Sequence, residues 1–177
     1  PVYLMPILEN ATGILNALEI SKASKNIVAI AIGLEDYTAD IGVEKTNQGR
    51  ESLFARSQVV NAARSVCIQA IDTVFSDIND EGTLRKSVRE ARDLGFDGKG
   101  CIHPRQIQPI HEEFSPSETE IDKAMKIVLA FDKAKKKGLS VVSLGSKMID
   151  PPVVKRALNT MNLAITIGLI SKNWKRQ

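Results

Sequence analysis

Asn26-Ile-Val-Ala-Ile-Ala-Ile-Gly-Leu-Glu-Asp-Tyr-Thr-Ala-Asp40 carries the reading on which the fold turns. Ile27 to Ile32 are all apolar, Gly33 breaks the run, and Glu35 and Asp36 follow. A short apolar run that lacks alternation and stops at a glycine predicts a strand buried on both faces, as in a parallel sheet. Acids just past the carboxyl end of such a strand stand where α/β proteins place their chemistry. A second acid, Glu9, ends another apolar run, Val2 to Leu8, one strand-helix unit earlier. Two carboxylates on neighbouring strand ends can converge on one divalent cation.

Outward from this stretch the chain alternates. Val2–Leu8 reads as the first strand, and Ala11–Ala23 as a helix capped by Asn10. Residues 37–50 are polar, hold Gly42 and Gly49, and read as a long loop beside the candidate site. Glu51–Val66 is helical, with Leu53, Phe54, Val59, Val60, Ala63 and Val66 as its apolar stripe. Ala70–Phe75 is the third strand, carrying Asp72, with Asp77 beyond it. A helix follows from Asp80 or Thr83 to about Leu94. Gly95–Lys99 reads as a turn, and Gly100–His103 as a short fourth strand stopped by Pro104. Ile107–Phe114 is a short helix. Glu118–Lys137 is a long one, capped by Ser117 and stopped by Gly138. Val141–Asp150 is extended. Pro151-Pro152 leads into a last helix, Val153–Ser171, with Leu158, Met161, Ile165 and Leu169 on one face.

Alternating strands and helices imply an α/β fold with a parallel sheet. A (β/α)8 barrel takes eight strands and about 250 residues, so four strands supply about half of one. We expect residues 1–114 to form this half and residues 115–177 to form helices and an extended arm, packing on the barrel mouth or on a neighbouring subunit. The chain has 177 residues, 43% hydrophobic and 25% charged, as in ordinary globular proteins. A net charge of +3 does not argue for nucleic acid. Cys67 and Cys101 form no metal-type spacing, which suits a reduced cytoplasmic setting. No apolar run approaches the ~20 residues of a membrane helix. The chain opens at Pro1 inside a strand with no lead-in and no visible signal peptide, so we expect a fragment or processed piece.

The motifs Gly33-Leu-Glu-Asp-Tyr-Thr-Ala-Asp40, Phe54-Ala-Arg56, Gln69-Ala-Ile-Asp72, Leu94-Gly-Phe-Asp-Gly-Lys99, Ile102-His-Pro104 and Lys147-Met-Ile-Asp150 together resemble the citrate lyase β subunit family. The resemblance covers nearly the whole chain, in order. It implies a TIM barrel of the metal-dependent thioester lyases, cleaving citryl-acyl-carrier-protein to oxaloacetate and an acetyl thioester. It implies Mg2+ held by Glu9 and Asp36, and Asp150 as the catalytic acid/base, in relatives delivered by a neighbouring subunit. Substrate contacts are expected at Glu9, Gly33, Leu34 and Glu35, where backbone N–H groups could take the keto acid's carboxylate. The implied partners are acyl carrier protein and transferase subunits of a citrate lyase complex, within a homo-oligomer, with no nucleic acid or membrane. The family's first four strands, and an Arg there that grips the substrate carboxylate, are absent from this chain. Malyl- or citramalyl-coenzyme A lyase or thioesterase activity is the close alternative; a non-enzymatic assembly subunit or fragment is the rival.

Plainer roles stand beside these. Glu9 could be a solvated strand-end acid. Strand geometry would turn Glu35 and Asp36 to opposite sides, so only one of them would bind the ion. Asp72 and Asp77 read as structural, His103 as an ordered structural histidine, and Arg56 as an ion-pair partner. Asp150 is also placed to cap the last helix. The Lys133–Lys137 run suits a solvated helix end, or the steering of an acidic carrier.

Overall fold

A computed structural model describes residues 1–139, 141–145 and 147–176; Ser140, Ser146 and Gln177, which fall within the ranges above, lie outside it. The chain forms two compact units, Pro1–Phe114 and a second from Ser115 onward.

In the first unit, strands β1 (Ile7–Leu8), β2 (Ala29–Ile32), β3 (Gln69–Asp72) and β4 (Gly98–Lys99) pair in parallel in the order β1-β2-β3-β4. An isolated bridge between Leu4 and Ile27 extends the β1–β2 pairing backwards. The connections are α1 (Ala11–Leu15), α2 (Ala17–Lys22), α3 (Leu34–Asp40), α4 (Leu53–Ser65) and α5 (Glu81–Leu94). A 3-10 turn at Pro104–Gln106 leads into α6 (Ile107–Phe114). This is the sequential βα order of half a TIM barrel.

Strand alternation sorts the side chains. Leu8, Ile30, Ile32 and Ala70 pack with Ile14 and Ala17 and with Ala55, Val59 and Ala63 of α4. Burying one Ile or Leu stabilises by roughly 1.5–3 kcal/mol, so this layer dominates the unit's stability. The opposite face carries Ile7, Ala31 and Ile71, partners in register across β1, β2 and β3. Ile7 is 55% exposed and Met5 50%, so at the β1 edge no described helix of the first unit covers that face, although Ala31 on the central strand is buried.

Several readings of the sequence change in this unit; β1 and β3 are shorter than expected, at Ile7–Leu8 and Gln69–Asp72. The Ala11–Ala23 helix is two helices, because the Asn16 side chain donates to Thr12 O (2.8 Å) and its N–H turns back onto Ile14 and Thr12. The loop expected at 37–50 begins only after Asp40, since Leu34–Asp40 is helical. The acids at its first turn favour the helix dipole, and Thr38 Oγ1 donates to Leu34 O (2.8 Å). The fourth strand lies at Gly98–Lys99 and not Gly100–His103. Asp97 sets that register: its N–H donates to Ala70 O (2.8 Å) and its Oδ2 accepts from Ala70 N (2.9 Å). Leu53 and Phe54, counted in the α4 stripe, point outward at its first turn.

The second unit holds α7 (Glu118–Lys136), a hairpin of β5 (Val142–Leu144) and β6 (Lys147–Ile149), and α8 (Pro151–Thr166). Ser117 and Glu120 form a capping box that starts α7. The extended 141–150 run is thus an antiparallel hairpin. The last helix starts at Pro151 and stops at Thr166, short of Ser171. Its buried stripe is Val154, Ala157, Met161 and Ala164, while Leu158 and Leu169 are exposed. It packs with Ile121, Ala124 and Val128 of α7 and Ile149 of the hairpin.

Candidate active site

Parallel pairing brings the ends of β1 and β2 together: Gly33 N–H donates to Leu8 O (3.0 Å). Glu9 follows Leu8 and therefore faces the same way as Ile7, toward the uncovered face. Its side chain lies directly over Gly33. A Cβ on Gly33 would come within 2.7 Å of both Glu9 Cγ and Glu9 Oε1. Gly33 has φ −104°, which any residue adopts, so what a side chain here would displace is the Glu9 carboxylate rather than backbone.

Glu9, Gly33, Leu34, Glu35 and Asp36 border one cavity of about 250 Å³, floored by Ile7 and Ala31. The five residues expected at the site are therefore neighbours. The reason given for separating Glu35 from Asp36 does not hold, because both lie in the first turn of α3 and are separated by about 100° around the helix. What divides them is chemistry: Glu35 is in an ion pair with Lys45 Nζ. The side chains of Glu9 and Asp36 take part in no ion pair or hydrogen bond among the described residues. The backbone cradle is narrower than expected. Gly33 N–H is spent on Leu8 O, and Leu34 N–H donates to Thr73 Oγ1 (3.2 Å). Helix geometry leaves the N–H groups of Glu35 and Asp36 without intrahelical partners.

Among the described residues no group of three or more His, Cys, Asp or Glu side chains could hold a metal ion. Two carboxylates on one cavity remain, Glu9 and Asp36. Hard oxygen donors in that number suit Mg2+, which uses one or two protein carboxylates and leaves other positions to water and substrate. The cradle over Gly33, kept clear of a Cβ, gives the Glu9 carboxylate its room.

Asp150 lies in the second unit. Its Oδ1 accepts from Val153 N (3.1 Å), so it caps α8, and it is half-buried. Asp40 lies beyond the cavity, where its Oδ2 accepts from Ala11 N (2.8 Å) and ties α3 to α1.

On the helix-covered side of β3 stands a cluster that sequence reading only half caught. Arg56 Nε and Nη2 donate to Asp72 Oδ1 (3.0 Å) and Oδ2 (2.9 Å), and Lys99 Nζ donates to the same Oδ2 (2.9 Å). The three side chains are 8%, 0% and 2% exposed for Arg56, Asp72 and Lys99. Burial pushes the Lys99 ammonium below its ordinary range; Asp72 opposes that shift, while Arg56 and Lys45 add to it. Sequence reading misses Lys99 because Gly95–Lys99 reads as a turn, whereas the structure puts this lysine in β4. Such a cation must find a partner.

Residues 1–104 match the sequence profile of the family described as HpcH/HpaI aldolase/citrate lyase. The chain belongs to this family. It is 42% identical to citrate lyase subunit beta of Escherichia coli (strain K12) over 166 residues, which is 94% of this chain and 55% of that one. It is 34% identical to the mitochondrial citramalyl-CoA lyase of Homo sapiens over 175 residues, 94% of this chain and 52% of the other. The crystal structure of protein CitE from Mycobacterium tuberculosis, in complex with magnesium, acetoacetate and coenzyme A, superposes with a TM-score of 0.80. It is 28% identical, and the match covers 93% of this chain and 61% of that one. The chain thus spans about half the length of the curated relatives it matches. Within the family, magnesium occurs in a solved relative, and the pair Glu9 and Asp36 fits that ion in donor type and number. No helix among the described residues is long and apolar enough to cross a membrane.

Proposed function

We propose that this chain is the carboxyl-terminal half of a (β/α)8 lyase that cleaves a citryl thioester to oxaloacetate and an acetyl thioester. The observation that supports this is the Glu9 carboxylate lying over Gly33, with Asp36 on the same cavity at the carboxyl ends of neighbouring strands. Glu9 and Asp36 would hold Mg2+, which when bound supplies Lewis-acid polarisation of substrate oxygens. In the reaction the carbon–carbon bond breaks as the tertiary hydroxyl loses its proton. Oxaloacetate keeps the new keto group, and the thioester enolate carbon takes a proton. The N–H groups of Glu35 and Asp36 at the start of α3 are placed to receive a carboxylate. Asp150, from this chain or a neighbouring subunit, is proposed as the acid that protonates the enolate carbon.

The proposed setting is the cytoplasm, in a homo-oligomer that meets acyl carrier protein and transferase subunits; the name of the E. coli relative, citrate lyase subunit beta, supports a multisubunit complex. We also propose that residues 115–177, which carry Asp150, serve a barrel mouth or a neighbouring subunit. A second reading is a malyl- or citramalyl-coenzyme A lyase or thioesterase, its citramalyl form supported by the human relative at 34% identity, below the 42% to citrate lyase subunit beta. The chain's coverage of half its relatives keeps a non-enzymatic subunit as the reading to exclude. One assay separates them: turnover of citryl-carrier against malyl- and citramalyl-coenzyme A, with and without Mg2+. Mg2+-dependent cleavage of citryl-carrier alone supports the proposal, and preference for a coenzyme A ester replaces it with the second reading. Asp150→Asn should lower turnover by roughly 10²–10⁴-fold with Mg2+ affinity kept, if Asp150 is the acid. Unchanged turnover would leave it as the cap of α8, where Asn serves about as well. Restored activity on mixing Asp150→Asn with Asp36→Asn chains would show the two residues meeting across a subunit boundary.

A further inference from the structure

A second cavity, of about 160 Å³, opens in the first unit on the helix-covered side of β3, beside Arg56, Asp72 and Lys99. Its charged lining is four cations, Lys45, Arg56, Lys86 and Lys99, against two acids, Asp72 and Glu90. The imbalance is sharpest where solvent is least. Arg56 and Lys99, both buried, share the single carboxylate of Asp72. Among the described residues the other acid acting on Arg56, Glu51, does so from a half-buried position. One of the two buried positive charges therefore has no buried counter-charge of its own there, a costly arrangement unless an anion completes it. Burial is the main reason the charged form of Lys99 is disfavoured, and Arg56 and Lys45 add to it.

The donors are also placed for a ligand. Arg56 spends Nε and Nη2 on Asp72, and its remaining nitrogen, Nη1, lies on the Gly49 side, where a Cβ on Gly49 would be 3.6 Å away. Lys45 comes from the loop before α4, and its side chain is 19% exposed. Thr73 Oγ1 accepts from Leu34 N, which leaves its own O–H to donate. These groups come from the 41–52 loop, α4, β4 and the segment after β3, so they approach from several directions. A planar carboxylate cannot use such a spread as well as a tetrahedral oxyanion can, and Arg and Lys together are the usual partners of phosphate.

We propose that this cavity is a binding site for a phosphoryl group, held by Arg56, Lys99 and Lys45 with Thr73. This cavity adjoins the Glu9–Asp36 cavity, with Leu34, Asp72, Thr73 and Val74 bordering both, but it is lined by none of Glu9, Glu35 and Asp36, and the site stands whether or not the chain is a lyase. The phosphoryl group is either a free anion or part of a phosphate-bearing carrier such as coenzyme A.

Calorimetry of the full chain with inorganic phosphate, at constant ionic strength against chloride, tests it. Saturable binding at one site per chain, with sulfate competing, is expected. Lys45→Gln, at a partly exposed position, should weaken that binding by about tenfold, the loss of one charge-assisted hydrogen bond. Glu35→Gln, which frees Lys45 from its ion pair, should keep or tighten it. No saturable binding, or equal binding by wild type and Lys45→Gln, would overturn the proposal. Displacement of phosphate by coenzyme A and not by pantetheine assigns the group to the carrier. Failure of both to displace it assigns a free anion; either result supports the site.

Discussion

The two faces of the β1–β4 sheet differ in how complete they are. The helix-covered face buries Leu8, Ile30, Ile32 and Ala70, and its one acid, Asp72, is held by Arg56 and Lys99. The other face leaves Met5 and Ile7 half exposed and carries Glu9, whose carboxylate meets no cation among the described residues. An acid deep in a low-dielectric layer must be neutralised by the protein itself. An acid at an open strand end is solvated and can wait for an external cation. The same residue type thus serves structure on one face and is free for chemistry on the other, and the difference is set by what covers it.

The largest effect expected from this contrast is on assembly. The bare face and the free edges of β1 and β4 should drive association with further strands, from another chain or from a longer form of this one. Sedimentation velocity should therefore show a self-associated or partner-bound species. A stable 177-residue monomer would break the contrast at its root.

Next comes the helix-covered face. Asp72→Ala leaves two buried cations unpaired and should cost about 3–5 kcal/mol in a urea melt, whereas Glu9→Gln should stay within about 0.5 kcal/mol. Equal losses from the two would show that Glu9 is as structural as Asp72. On the open face, Asp36→Asn should reduce Mg2+ affinity by about tenfold or more. Asp40→Asn should leave Mg2+ affinity unchanged, because Asp40 accepts from Ala11 N and lies off the cavity. Titration calorimetry with Mg2+ distinguishes them. The smallest effect sharpens the geometry: Gly33→Ala places a Cβ against Glu9 Cγ and Oε1. It should weaken Mg2+ binding less than Asp36→Asn does, with the melt little changed. Intact Mg2+ affinity in Gly33→Ala would mean that the Glu9 carboxylate does not need its place over Gly33.

Much of this was legible in residue order. The Ile27–Ile32 run, ended by Gly33, is apolar on every residue, and its strand, Ala29–Ile32, is buried throughout. The repeats of such runs with helices between them led to a parallel sheet without further help. The capping signals at Asn10, Asp80 and Ser117 are local, and each caps its helix through a side-chain bond to the backbone three residues on. Local signals also failed where competition was local but subtle. Asn16 broke a helix that its apolar spacing supported, and Asp97 moved the fourth strand forward by pairing with Ala70.

Periodicity and motif spacing specified the strands, the helices between them and the acids at strand ends, because these depend on neighbours within a few residues. The Arg56–Asp72–Lys99 cluster, the ion pair of Lys45 with Glu35 and the position of Glu9 over Gly33 came only with the folded chain. Each joins residues 10 to 43 positions apart, or packs a side chain against backbone, and depends on strand register and on the helix layer. Register is a collective property of the whole sheet, summed over many pairings, and no single stretch of sequence contains it.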